Sequence, residues 1–360
     1  MAAFSEADRR WMAAALAVAK RGLGRVWPNP AVGCVIVSDG RLVGRGWTQP
    51  GGRPHAEVMA LAGAGAAARG ATAYVSLEPC AHHGRTPPCA DALASAGITR
   101  VVAPMEDPDP RVSGRGFARL REAGLAVDIG LMATEGEAAN AGFLMRQRAG
   151  RPRVTLKLAA TLDGRIATAS GESRWISGPE ARARAHLLRA THDAILVGSG
   201  TARADDPALD VRLPGLEGRT PQRVVLDVDL SLPSTLRLAR GAPPAWRLCA
   251  APGSAEWGEA IPVGRGADGR LDLFAALRAL GERGVTRLLC EGGGRLAAAL
   301  VRAGLADEIV WVSAGALIGA EGAPALGPLA LTALADAPRY RLAGEMRAGG
   351  DIVSHWLPVG

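Results

Sequence analysis

Lysine, aromatic residues and cysteine are all scarce in this chain. Only Lys20 and Lys157 are lysines among 42 basic residues. With the abundance of Ala and Gly, that bias points to codon usage and leaves the arginine count with little functional meaning. Aromatic residues make up 4%, and the net charge of +7 is gathered into no basic block. A polynucleotide surface needs concentrated charge and stacking side chains, so no nucleic-acid partner is expected. No apolar run reaches the length that spans a bilayer, so no membrane partner is expected either. Five cysteines, an odd number in a long chain, do not make a disulfide framework and suit a reducing, cytoplasmic compartment.

What is present is a globular composition, 48% apolar over 360 residues, enough for two or three domains with a sizeable core. Arg9-Arg10 followed by the run 11–19 loosely imitates a secretion signal. Glu6, Asp8 and the closing Lys20-Arg21 make an amphipathic first helix over 6–22 the better reading.

Hydrophobic period and turn residues then give strands at 32–38 and 41–47 joined by Asp39-Gly40. A helix follows at 55–68, a strand at 72–77, a loop 80–89 leading into a helix, a strand at 100–105, a helix at 116–123, a strand at 127–129 and a helix at 134–148. This is an α/β sandwich occupying residues 1–147. Residues 148–153 read as a junction, and a second α/β pattern fills 153–360. Its strands are expected at 154–160, 194–197, 223–227, 287–290 and 308–312, with helices at 179–190, 271–283 and 296–303. Residues 201–212 read as a polar loop, and 340–357 as edge strands.

The stretch that organises the first half is His55-Ala56-Glu57, then Pro79-Cys80 and Cys89. One imidazole and two thiolates with an open fourth position hold a catalytic zinc, and this order is the signature of zinc-dependent deaminases. His55, Cys80 and Cys89 are the expected ligands. Glu57 is the expected proton carrier, moving the water's proton to the departing amine. His55 and Glu57 are about 200° apart on a regular helix. They converge only if His55 lies in an irregular first turn. His82 and His83 are open between a fourth ligand of a structural site and a lining of the substrate pocket. In the second half, Glu291-Gly292-Gly293-Gly294 ends a strand and opens a helix, an arrangement that suits a phosphate but also serves ligand-free turns.

Both halves together resemble the bifunctional deaminase–reductase family of riboflavin biosynthesis. The resemblance rests on Pro28-Asn29-Pro30-x-Val32-Gly33-Cys34, the HAE stretch and the long Pro-Cys-to-Cys loop. In the second half it rests on Lys157-Leu158, Leu162-Asp163-Gly164-Arg165, Gly171-Glu172-Ser173, Trp175-Ile176, Ala204-Asp205-Asp206-Pro207 and Glu291-Gly292-Gly293. It implies a cytidine-deaminase-like three-layer sandwich followed by a domain similar to dihydrofolate reductase, with Zn2+ and NADPH as cofactors. The implied reactions are hydrolytic deamination of a diaminopyrimidinone carrying a ribosylamino 5′-phosphate, then reduction of its ribosyl group to ribityl. Contacts to NADPH are implied for Ala159, Trp175, Thr201, Asp205 and the turn Gly293, Gly294, Arg295, Leu296, Ala297, Ala298, Ala299. Contacts to substrate are implied for Ser173, Arg189, Leu209, Arg212 and Glu291. Asn29 is placed for the pyrimidine and His82 for its pocket. Arg189 and Arg212 are candidates for the 5′-phosphate, and Lys157 for proton donation or an ion pair.

Small phosphorylated pyrimidines are thus the expected partners, in a homo-oligomer, dimer or tetramer. One departure stands out: relatives often carry a histidine where this chain has Thr48. Two rival readings keep the deaminase: one makes the second half a non-catalytic binding or dimerisation module, and the other makes the chain a nucleic-acid editor.

Overall fold

The computed structural model describes residues 4–82 and 87–359, which form two compact units, Met1–Gly150 and Arg151–Gly360. The first unit opens on α1 (Glu6–Ala19). Ser5 and Asp8 close a reciprocal capping box at its start, worth about 1 kcal/mol. Met12, Ala15, Leu16 and Ala19 are buried, so this helix belongs to the core. The strands are β1 (Gly33–Ser38), β2 (Arg41–Trp47), β3 (Thr72–Val75), β4 (Arg100–Ala103) and β5 (Ala126–Ile129), and the remaining helices α2 (Ala56–Ala64), α3 (Cys89–Ser95), α4 (Arg115–Glu122) and α5 (Ala133–Ala149).

The sheet runs β2-β1-β3-β4-β5. Pairing is antiparallel through β2, β1 and β3, then parallel through β4 and β5. Alternation along β1 sorts the two faces: Cys34 and Ile36 pack with α2, α3 and α4, while Val35 and Val37 pack with α1. The result is a three-layer sandwich. On one face α2 rides unusually close to β2. A Cβ at Gly46 would lie 2.3 Å from the Ala56 carbonyl oxygen, and one at Gly44 2.2 Å from that of Ala60. Glycines on the strand and alanines on the helix therefore set where His55 and Glu57 stand.

The second unit contains β6 (Arg153–Thr161), β7 (Arg165–Ala167), α6 (Pro179–Ala190), β8 (Ala194–Gly198), α7 (Ser199–Asp205), β9 (Gln222–Leu226), β10 (Trp246–Cys249), β11 (Glu259–Pro262), α8 (Leu273–Glu282), β12 (Arg287–Cys290), α9 (Gly294–Arg302), β13 (Glu308–Ala314), β14 (Ala323–Pro324), β15 (Tyr340–Ala348) and β16 (Asp351–Pro358). Nine strands form one sheet, β11-β10-β9-β8-β12-β6-β13-β16-β15. It is parallel from β11 to β13 and antiparallel at its last two strands. β7 and β14 make a separate two-stranded ribbon.

Four sequence expectations change. Strands β10 and β11 are additional to those read from the sequence. The polar loop at 201–212 is a helix, α7, as far as Asp205. The helix expected from 296 begins two residues earlier, at Gly294, which shortens the glycine turn: Gly293 is the helix cap, and Leu296 and Ala297 give their N–H groups to the Gly293 carbonyl. Finally, β16 lies between β13 and β15, so of the last two strands only β15 is an edge.

Candidate active sites

In the first unit, His55 is the extended residue that caps α2 (φ −72°, ψ 161°) and is not part of the helix. That removes the 200° conflict: the imidazole leaves the chain before the helical twist begins, and Glu57 sits in the first turn. Cys80 follows β3 and Cys89 opens α3. His55 Nδ1 is 3.3 Å from Cys89 Sγ and 3.6 Å from Cys80 Sγ, and the three donor atoms lie within 4.8 Å of one another. Tetrahedral bonds of about 2.0 Å to nitrogen and 2.3 Å to sulfur require separations of this size, so the donor set fits zinc. The Cys89 amide donates to Cys80 Sγ at 3.3 Å. Hydrogen bonding from Cys89, then from His55, outweighs burial and holds the Cys80 thiol near 4; hydrogen bonding to Cys80 and burial push Cys89 up.

Glu57 is buried, and its pKa is pushed up to about 7, first by burial and then by the neighbouring Cys80. A carboxyl poised near neutrality can both take and return a proton. Asn29 is half-buried, with Nδ2 3.3 Å from the Val26 carbonyl. His82 Nδ1 is buried with no hydrogen-bond partner among the described residues, an orphan that suits a ligand contact. His83 lies outside the described residues. Thr48 is buried, and its hydroxyl accepts the Val32 N–H at 3.0 Å. It fastens the end of β2 to the start of β1.

In the second unit, a cavity of about 780 Å³ lies at the carboxyl ends of the parallel strands, where open α/β sheets bind ligands. Its size suits a cofactor or small-molecule site. Ten of the residues singled out by resemblance line it: Lys157, Ala159, Ser173, Trp175, Arg189, Thr201, Asp205, Leu209, Arg212 and Glu291. Gly293 stands beside it through Thr201, whose Oγ1 accepts the Gly293 N–H at 3.0 Å. Farther along α9, the side chains of Ala297 and Ala298 are core, so this helix can meet a ligand only at its beginning.

Glu291 and Arg189 form a bidentate pair, Nε to Oε1 at 2.8 Å and Nη2 to Oε2 at 2.9 Å, while Arg189 Nη1 donates to the Asp210 carbonyl. The Nε–Nη2 edge of Arg189 is therefore taken by Glu291. Arg212 is exposed and paired with Asp210. Burial raises the Glu291 pKa, but Arg189 and Lys157 override it and bring it to about 2. Burial pushes Lys157 down, Glu291 supports its charge and Arg189 opposes it. Trp175 is 69% exposed at the mouth, with the Arg182 guanidinium 4.6 Å from its ring centre. Sequence reasoning missed His186 and Arg182, which also line the cavity. Counted along α6 from Arg182, His186 at i+4 and Arg189 at i+7 share a face, and that spacing was the available signal.

A family model for the cytidine and deoxycytidylate deaminase zinc-binding region matches residues 5–105, and one for the RibD C-terminal domain matches 152–354. The chain is 46% identical to the riboflavin biosynthesis protein RibD of Escherichia coli, across 97% of this chain and 98% of that one. This chain belongs to the RibD family. The RibD protein of Haemophilus influenzae is 42% identical over the full length of both chains. Among solved structures, RibD of Acinetobacter baumannii superposes with a TM-score of 0.89 at 37% identity, covering 99% of each chain. A diaminohydroxyphosphoribosylaminopyrimidine deaminase/5-amino-6-(5-phosphoribosylamino)uracil reductase of Thermotoga maritima superposes with a TM-score of 0.88 at 33% identity, covering 98% and 99%. As a RibD-family protein the chain is a bifunctional enzyme of riboflavin biosynthesis, a zinc-binding deaminase joined to an NADPH-dependent reductase. No helix among its described residues is long and apolar enough to cross a membrane.

Proposed function

We propose that the first unit hydrolytically deaminates 2,5-diamino-6-(5-phosphoribosylamino)pyrimidin-4(3H)-one, and that the second reduces the ribosyl side chain of the resulting 5-amino-6-(5-phosphoribosylamino)uracil. The observation that carries the reading is the convergence of His55, Cys80 and Cys89 beside the buried Glu57. Held by those three residues, zinc supplies Lewis acidity to a water molecule. Glu57 takes that water's proton and returns it to the leaving amine, so that ring amine and water become carbonyl and ammonia. Asn29 and His82 orient the pyrimidine.

In the second unit NADPH supplies hydride. Thr201, Asp205 and the Gly293 turn bind it. Ser173, Leu209 and Arg212 hold the substrate, and Glu291, fixed by Arg189, supports the charge of Lys157 against its burial. The side-chain amine of Lys157 has no hydrogen-bond partner among the described residues and can donate a proton as the sugar opens. The reading includes a cytoplasmic location, supported by five unbridged cysteines. It also includes a homo-oligomer, dimer or tetramer, supported by exposed Leu342, Met346 and Ile352 on the last two strands; sedimentation measures that state.

The test supplies each substrate separately. The diaminopyrimidinone phosphate is expected to release ammonia without NADPH, and the aminouracil phosphate to oxidise NADPH without ammonia release. Absence of NADPH oxidation would favour a non-catalytic second unit. Equal ammonia release from cytidine or single-stranded nucleic acid would overturn the substrate assignment.

A further inference from the structure

Glu78 stands two residues before the ligand Cys80, yet the chemistry above gives it no task. Its carboxylate is buried, 4% exposed, and no arginine or lysine pairs with it among the described residues. It accepts four backbone N–H groups. Oε2 takes those of Asp107 at 3.0 Å and Gly114 at 2.9 Å; Oε1 takes those of Gly116 at 2.8 Å and Phe117 at 3.3 Å. Asp107 and Gly114 lie in the segment linking β4 to α4, and Gly116 and Phe117 in the first turn of α4. The adjacent Pro79 makes the second contact: a Cβ at Gly116 would lie 2.0 Å from its carbonyl oxygen. The chain carrying Cys80 is thus pressed onto the start of α4 and held there by a charged acceptor. The arrangement is fully satisfied and charge-assisted, the stronger class of hydrogen bond.

We infer that Glu78 is a positioning residue for the metal centre: by clamping the β4–α4 segment it fixes Cys80, and so sets how long the zinc stays bound. The inference rests on the reading of His55, Cys80 and Cys89 as zinc ligands. Groups behind metal ligands typically alter affinity 10- to 100-fold. Glutamine at position 78 keeps the volume but turns an NH2 group toward two N–H donors, so it separates the acceptor role from packing.

The experiment measures zinc release from the intact, zinc-loaded protein to a chromogenic chelator. NADPH-dependent reduction in the second unit and circular dichroism serve as controls for folding. Glu78→Gln is expected to release zinc about 10-fold faster or more, with reduction unchanged. Gly116→Ala displaces the same contact from the opposite side and is expected to accelerate release as well, and it carries the test if Glu78→Gln does not accumulate folded. Release within twofold of wild type in either folded variant overturns the inference. Wild-type protein purified without zinc would overturn the underlying metal reading instead.

Discussion

The two sites of this molecule are built on opposite plans. The metal centre draws its ligands and its proton carrier from 35 consecutive positions, His55 to Cys89, and needs only four side chains. The reductase cavity draws on residues from Lys157 to Glu291, on β6, α6, β8, α7 and the turn after β12, and its chemistry lies in shape and shared charge. The first kind of site is fixed by donor atoms, so removing one atom abolishes it. The second is distributed, so its parts lose function by degrees and through stability.

The sharpest way to break that contrast is to exchange single atoms at the metal centre. Cys80→Ser removes a soft ligand and is expected to abolish deamination and lower zinc content. Glu57→Gln is expected to keep the metal and lose about 10²- to 10⁴-fold in deamination, the range for a positioned proton carrier. Reduction of supplied aminouracil phosphate is expected to continue in both, because hydride transfer needs no metal. Ammonia release, metal analysis and NADPH absorbance on folded protein decide it. If folded Cys80→Ser protein loses both activities, the plans are not separate.

The same contrast explains what could be read from the chain beforehand. Zinc chemistry restricts ligands to a few residue types, so His55, Cys80, Cys89 and Glu57 were legible before any fold was known. An irregularity at His55 was legible too, because a regular helix would have pulled His55 and Glu57 apart; it was expected in the helix's first turn, and His55 is instead the extended residue before the helix. The cavity was legible only through family resemblance, since nothing in their spacing links Ser173, Leu209 and Arg212. Strand β10 was missed for a physical reason. Its Arg247 is fully buried and pairs with Asp227 at 2.6 Å, so a core strand carries a charge whose partner lies twenty residues earlier. Helix α7 was missed because Ser199, Gly200 and Thr201 are weak helix formers with no apolar stripe.

An effect of intermediate size is expected at Glu291. Glu291→Gln leaves Arg189 buried without its counter-charge, which costs about 3 kcal/mol, seen as a lower denaturant midpoint for the second unit. Three groups of the second unit shape its acid dependence: His192, Glu291 and Glu308, the last also lowered from 4.5 to about 2. Burial, aided by Arg287, brings the His192 pKa down to about 3 from 6.5. Between those values the unfolded chain binds a proton that the folded chain refuses, so stability falls as pH falls. The Glu291 pKa is lowered from 4.5 to about 2, so its contribution is complete above 4.5 and is lost as pH drops toward 2. Wild type is therefore expected to weaken progressively from about pH 6.5 downward. Glu291→Gln should lose only the Glu291 share of the slope below 4.5 and keep the His192 share, which runs from 6.5 down to about 3. An unchanged slope below 4.5 would remove Glu291 from the account.

The smallest effect distinguishes two neighbouring glycines of the reductase turn. At Gly293 the backbone is ordinary (φ −69°), and an added Cβ would meet only Thr201 Oγ1, at 3.4 Å. At Gly294 the Cβ would lie 2.6 Å from the Pro324 carbonyl oxygen, a backbone atom that a flexible side chain cannot vacate. Gly293→Ala is therefore expected to leave the unfolding midpoint within about 0.5 kcal/mol of wild type while weakening NADPH binding several-fold, because its methyl group stands where the backbone must meet the cofactor's phosphates. Gly294→Ala is expected to do the reverse, lowering stability by about 1 to 3 kcal/mol through overpacking, with any loss of affinity following from that. Titration of NADPH by its fluorescence, beside denaturation of each variant, separates the two. If Gly293→Ala binds NADPH as tightly as wild type, the start of α9 serves the fold alone, and the cofactor's phosphates must rest elsewhere in the cavity.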